Sequence, residues 1–215
     1  MKKTVLALAA ALGLSLGVSA QEFNFGVEGG FGMNSISMSV DMSQIDPSMF
    51  AGMWHAPIVG GYIGGFTEMT FDSPFSVRGD LYFAQQGFGA RDSEVAWWCI
   101  SHNFMIPVLG QFRVADFLTL GFGPELGIIL DGRDYYTGIG QRDAFNVKWS
   151  KKTYNHAEFL LQFSAEFRIG DNLGLQLKYD LGLTNVKIPT FYDENAIRNQ
   201  QRSLMLGVCW HFETL

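Results

Sequence analysis

The 215 residues are 47% hydrophobic and 14% aromatic, too apolar for a disordered chain. With 21 acidic against 15 basic residues the formal charge is −6, which argues against nucleic acid as a partner. Glycine accounts for 25 residues and proline for 6, a balance that favours a tightly packed β-protein.

The chain opens on Lys2-Lys3, an apolar stretch from Val5 to Val18, and the small-residue site Val18-Ser19-Ala20. This is the pattern of a secretory signal peptide over residues 1–20, leaving a single domain over 21–215. No later run approaches the roughly 18 apolar residues of a spanning helix. A mature chain that enters a membrane must then do so as a closed barrel.

Period-two alternation predicts eight strands. The first, about 23–33, sets Phe23, Phe25, Val27 and Phe31 against Asn24, Glu28 and glycines. The second, about 58–71, sets Val59, Ile63, Met69 and Phe71 against Tyr62, Phe66 and Glu68. The third, about 75–88, sets Phe75, Val77, Leu81 and Phe83 against Arg78, Asp80 and Tyr82. The fourth, about 103–114, sets Phe104, Val108 and Phe112 against Pro107, Gln111 and Arg113. The fifth, about 118–130, sets Leu118, Leu120 and Phe122 against Thr119, Gly123 and Glu125. The sixth and seventh form a hairpin about Gly170-Asp171-Asn172. In it Phe159, Phe163, Phe167, Leu175 and Leu177 oppose Glu166, Arg168, Lys178 and Asp180. The eighth, about 202–212, sets Leu204, Leu206, Val208, Trp210 and Phe212 against Ser203, Cys209 and His211.

Tight connections at Asp72-Ser73-Pro74, Ala115-Asp116-Phe117 and Gly170-Asp171-Asn172 alternate with long ones at about 34–57, 89–102, 131–154 and 185–201. A soluble lipocalin-like barrel and a transmembrane barrel both use amphipathic strands, with opposite faces inward. Four features favour the membrane. The bulky face is apolar and the polar face is rich in small residues, which suits the narrow interior of eight strands. Short turns on one side and long loops on the other are the outer-membrane pattern. Phe23, Phe71, Phe75, Phe112, Phe117, Phe167, Trp210 and Phe212 all fall at the tight-turn ends, as an interfacial girdle requires. The polar-face charges can pair across neighbouring strands, Glu68 with Arg78 and Glu166 with Lys178. The expected fold is an all-β, eight-stranded, antiparallel up-and-down transmembrane β-barrel.

The last strand, Gly207-Val208-Cys209-Trp210-His211-Phe212, looks like the terminal signal read by the outer-membrane insertion machinery, although Glu213-Thr214-Leu215 follow it. Three glycine-rich strands, Phe25-Gly26-Val27-Glu28-Gly29-Gly30, Gly60-Gly61-Tyr62-Ile63-Gly64-Gly65 and Arg78-Gly79-Asp80-Leu81-Tyr82-Phe83, resemble PorT-like outer-membrane β-barrel proteins. So does Gly121-Phe122-Gly123-Pro124-Glu125-Leu126-Gly127. The resemblance spans the mature chain and implies a barrel of the small OmpA/OmpX type. It implies a barrel rather than an activity, although the family takes its name from a secretion-system component.

The inward charges are Glu28, Glu68, Arg78, Asp80, Arg113, Glu125, Glu158, Glu166, Arg168, Lys178 and Asp180. They read as bracing in a filled lumen rather than as an ion path. His55, His102, His156 and His211 show no HxH or HExxH spacing, so neither metal nor cofactor is expected. Ser101, His102 and Glu158 are the weak basis for an acyl hydrolase, and no enzyme is expected. Cys99, placed in a long loop, and Cys209, near a tight turn, lie too far apart to bridge. Trp97-Trp98 and the stretch Met49 to Trp54 either cap the barrel mouth or bind a partner.

The sequence thus predicts a monomeric, non-enzymatic outer-membrane barrel with periplasmic termini and extracellular long loops. Its expected partners are lipid, the insertion machinery and a protein or ligand at those loops. A narrow transport or secretion-associated barrel and a soluble lipocalin-like binder are the alternatives.

Overall fold

The computed structural model describes residues 22–40, 54–71, 73–91, 95–138, 145–149, 155–186 and 197–212. The signal segment 1–20, most of the 34–57 loop, Asp72 and Glu213 to Leu215 lie outside them. Nine strands are described: β1 (Glu22–Val40), β2 (Trp54–Thr70), β3 (Phe75–Arg91), β4 (Val95–Ala115), β5 (Leu118–Gly138), β6 (Phe145–Lys148), β7 (Ala157–Ile169), β8 (Leu173–Gly182) and β9 (Ile197–His211).

Eight of them close a ring. Each pairs antiparallel with its neighbour in order β1-β2-β3-β4-β5-β7-β8-β9, and β1 pairs with β9 to complete it. Closure leaves the ring without an open strand edge, which a membrane demands. The short β6 pairs with β5 at Arg133 to Tyr136, on the edge of β5 that β7 occupies nearer the tight turns.

Burial is inside-out. Phe31, Ile63 and Leu206 are 72%, 69% and 65% exposed, whereas Glu28, Arg78, Lys178 and Asp180 are at most 3% exposed. A soluble barrel has the reverse polarity, so the lipocalin-like alternative fails. On β8 the alternation runs without a break: Leu175, Leu177 and Tyr179 face out, and Gly174, Gln176, Lys178 and Asp180 face in. Glycine makes room for large inward rings. A Cβ at Gly26 would lie 2.1 Å from the ring of Phe66. At the hairpin turn Gly170 has φ 74°, the left-handed region that glycine enters at no steric cost.

The girdle aromatics Phe23, Phe75, Phe112, Phe117, Phe167, Trp210 and Phe212 are 41% to 58% exposed, and Phe71 is half-buried. The rings of Phe75 and Phe112 lie 5.0 Å apart on adjacent strands.

The strands are longer than the alternation predicted, and the excess lies on the long-loop side. β4 begins at Val95, eight residues before its expected start, and β5 runs to Gly138, eight past its expected end. Cys99 therefore lies within β4 rather than in a loop. The cause is a reversal of polarity. Above the apolar belt the outer face turns polar at Gln85, His102, Asp131 and Arg133. The inner face turns apolar at Phe88, Cys99 and Ile129. A bulge between His102 and Asn103 falls at this level.

Candidate functional site

The lumen is filled in layers. In the layer nearest the tight turns, Arg78 on β3 is the hub. Its Nη2 donates to Glu28 Oε2 at 2.6 Å, Nε to Asp80 Oδ1 at 2.7 Å, and Nη1 to Glu166 Oε2 at 2.8 Å. Lys178 donates to Glu28 Oε1 at 2.6 Å and to Asp80 Oδ2 at 3.1 Å. Arg168, 28% exposed, lies 3.5 Å from Glu68 and 3.4 Å from Glu166. Inward rings support the cations: Arg78 lies 3.7 Å over Phe66, and Lys178 lies 4.7 Å over Tyr82.

The expected pairs are replaced. Glu68 and Arg78 are opposite in register, yet Arg78 bonds to Glu28, Asp80 and Glu166, while Glu68 accepts from Ser76 at 2.8 Å and lies 3.5 Å from Arg168. Glu166 stands opposite Gln176, and Lys178 reaches across to β1 and β3. In so narrow a barrel, a long cation spans the lumen more readily than it folds back onto the adjacent strand. Among the described residues, a gap in this layer bordered by Arg78, Asp80, Gln111, Gln176 and Lys178 measures about 10 Å³, room for about one water.

Above this lies a layer of acids and neutral groups. Tyr82 donates to Glu125 Oε1, and Gln162 donates to Tyr82 Oη at 3.0 Å and Asp180 Oδ1 at 3.0 Å. Glu158 is buried nearby on β7. Higher still, Asn103 donates to Gln86, and Gln86 to Ser203 at 3.4 Å. At the top of the described lumen Phe88, Cys99, Ile129, Trp149 and Val186 pack together, with Ile36 and Trp97 against them and the buried Asp134 opposite Cys99.

Other candidates separate. Arg113 does not join the lumen; it is exposed beside the tight turn, where a bulge between Arg113 and Ala115 disturbs the alternation. Ser101 points inward and is buried, while His102 points outward, 2.7 Å from Asp131 and stacked on Phe83. Successive residues of one strand face opposite sides, so they form no nucleophile–base pair. Trp97 joins the apolar cap, whereas Trp98 stacks on Tyr135. The side chains of His55 and Trp54 lie outside the described residues, as does Met49 to Met53; His156 is exposed. Cys99 and Cys209 are both buried and free.

One grouping escaped the sequence. Glu166, Cys209 and His211 bring three ligand-type atoms within 4.8 Å of one another. The available signal was Cys-x-His, two residues on one face of a strand, whereas the pattern sought was His-x-His.

The family model described as "Outer membrane protein beta-barrel domain" matches residues 19–187. No curated protein matches the chain significantly by sequence. Among solved structures, the chain is similar to Ail, the attachment invasion locus protein of Yersinia pestis, at 12% identity and TM-score 0.49. The alignment covers 89% of this chain and all of that one. Neisserial surface protein A is similar at 8% identity and TM-score 0.47, over 90% and 100% of the two chains. The outer membrane protease OmpT from Escherichia coli is similar at 8% identity and TM-score 0.35, over 92% and 99%.

Proposed function

Because the chain belongs to the outer membrane protein beta-barrel domain family, a family of the bacterial outer membrane, we propose that it is a non-conducting, non-enzymatic barrel whose work is done at its long-loop end. The observation that carries this is the filled lumen. The cross-braced charges of Glu28, Arg78, Asp80 and Lys178 leave a gap of about 10 Å³ in their layer, and Phe88, Cys99, Ile129, Trp149 and Val186 pack together at the long-loop end of the described lumen. Ser101 and His102 on opposite faces of β4 argue against hydrolysis.

In this reading the tight turns at Asp116 and Asp171 are periplasmic, the connections beyond β1, β3 and β5 are extracellular, and the protein works as a monomer. Lipid surrounds the belt, the insertion machinery reads the last strand, and a protein or ligand engages the outer loops. The PorT-like resemblance rests on the glycine-rich strands alone and brings no secretory role with it.

The test is purified protein in planar bilayers, paired with surface labelling of cells. No steady conductance is expected. A cysteine placed at Glu94 is expected to react with an impermeant thiol reagent, and one at Asp171 is not. Steady conductance, or the opposite labelling pattern, overturns the reading.

A further inference from the structure

Glu166 comes from β7, and Cys209 and His211 from β9. The two strands flank β8, which presents Gly174 directly opposite Cys209. A Cβ at Gly174 would stand 2.6 Å from Cys209 Sγ and 3.1 Å from Glu166 Oε1. The glycine thus leaves a side-chain-sized opening in the wall where a thiol, a carboxylate and an imidazole converge. All three residues are buried, at 1% for Cys209 and 5% for both Glu166 and His211.

We propose that this trio is a binding site for a thiophilic divalent transition-metal ion, zinc in the first instance. The donor set of one sulfur, one nitrogen and one oxygen suits zinc or cobalt and disfavours magnesium or calcium. Cys209 Sγ and His211 Nε2 stand 3.6 Å apart. With usual bond lengths, tetrahedral zinc sets a sulfur and a nitrogen ligand about 3.6 Å apart. His211 Nε2 and Glu166 Oε1 stand 2.8 Å apart, hydrogen-bonded to each other. A tetrahedral ion needs about 3.3 Å there, an opening of about half an ångström.

The surroundings already orient the donors. Arg78 Nη1 holds the other carboxylate oxygen of Glu166 at 2.8 Å, and the His211 ring packs edge-on against Phe66 with centroids 4.9 Å apart. Arg168 Nε lies 3.4 Å from Glu166 Oε1, and Arg168 Nη2 lies 3.5 Å from Glu68 Oε2. Charge also fits. In the layer of Arg78, Glu28, Glu68, Asp80 and Glu166 outnumber Arg78, Arg168 and Lys178 by one, and the layer above adds the buried acids Glu125, Glu158 and Asp180. A divalent ion bound by the Cys209 thiolate adds one net positive charge to this acid-rich lumen. The thiol proton leaves to water as the ion enters, and no redox partner is needed. Three protein ligands leave a fourth position for water.

The test titrates cobalt(II) into metal-free, detergent-folded protein. The expected result is one ion per chain, with a thiolate-to-cobalt charge-transfer band and the strong visible bands of a tetrahedral site, both removed by added zinc. C209S abolishes the charge-transfer band, H211Q weakens binding by about tenfold or more, and C99S changes neither. A folded wild-type barrel that shows no such band overturns the proposal. So does a band that survives C209S or is lost in C99S. If C209S fails to fold, wild type, H211Q and C99S decide, and a band unchanged in H211Q is then the overturning result.

Discussion

Arg78 on β3 and Glu28 on β1 belong to strands that are not paired in the sheet, yet their side chains meet at 2.6 Å inside the barrel. The bracing therefore depends on the curvature of the whole ring rather than on any one strand pair.

Removing the hub leaves Glu28, Asp80 and Glu166 without their shared cation in a nearly dry interior. R78A is expected to cost about 3–5 kcal/mol, the range for breaking a buried pair from one side. E68Q acts on a partner, Arg168, that water partly reaches, and should cost about 1 kcal/mol or less. Denaturant midpoints of refolded protein, followed by heat-modifiable gel mobility, rank the two; equal shifts contradict the assignment of Arg78 as hub.

Charge on the outer face should be penalised by depth. Val208 lies within the apolar belt and Gln200 above it, both on β9. V208R is expected to cost about 2–4 kcal/mol and Q200R about 0–1. Folding yield into lipid vesicles reads the difference, and a Q200R defect as large as that of V208R places the belt wrongly.

At the wide end, a Cβ at Gly132 would meet the ring of Trp149 at 2.3 Å. G132A is expected to expel Trp149 from the cap while leaving the membrane-spanning strands intact. Tryptophan emission should shift to the red and proteases should gain access at the long-loop end, with gel mobility unchanged.

Both thiols are buried, Cys99 at 2% and Cys209 at 1%. A thiol reagent should find no reactive group in the folded, metal-free barrel and two after denaturation. Reducing agent should leave the electrophoretic mobility unchanged. No reactive thiol after denaturation, or a shift on reduction, would show pairing that the buried, separate positions do not predict.

Much of the ring was legible because period two is a direct imprint of a two-sided strand. The hairpin from Phe159 to Asp180 reads from sequence as it folds, with Phe163 and Leu177 outward and Glu166 and Lys178 inward. What stayed hidden has physical causes. Beyond the belt the lumen turns from ion pairs to Phe88, Cys99 and Ile129, so the upper parts of β4 and β5 lose the pattern that marked them as strands. β6 is a four-residue strand, too short to show a period. Ion-pair partners were misjudged because sequence spacing reports neighbours along the sheet. Lys178 and Glu28 are 150 residues apart and meet only across the lumen. Arg113 was misplaced because alternation fails at a bulge.

The distribution of that network along the chain bears on the order of assembly. Glu28, Arg78 and Asp80 are contributed by the first three strands, and Glu166 and Lys178 by β7 and β8. A sheet of the first strands alone holds Arg78 with Glu28 and Asp80 but lacks Lys178 and Glu166, so the half-made network must stay hydrated. Joining β1 to β9 brings the two sets together in one step. The last seam to close is thus also the latch, and partly zipped intermediates gain little of the final stability until it shuts.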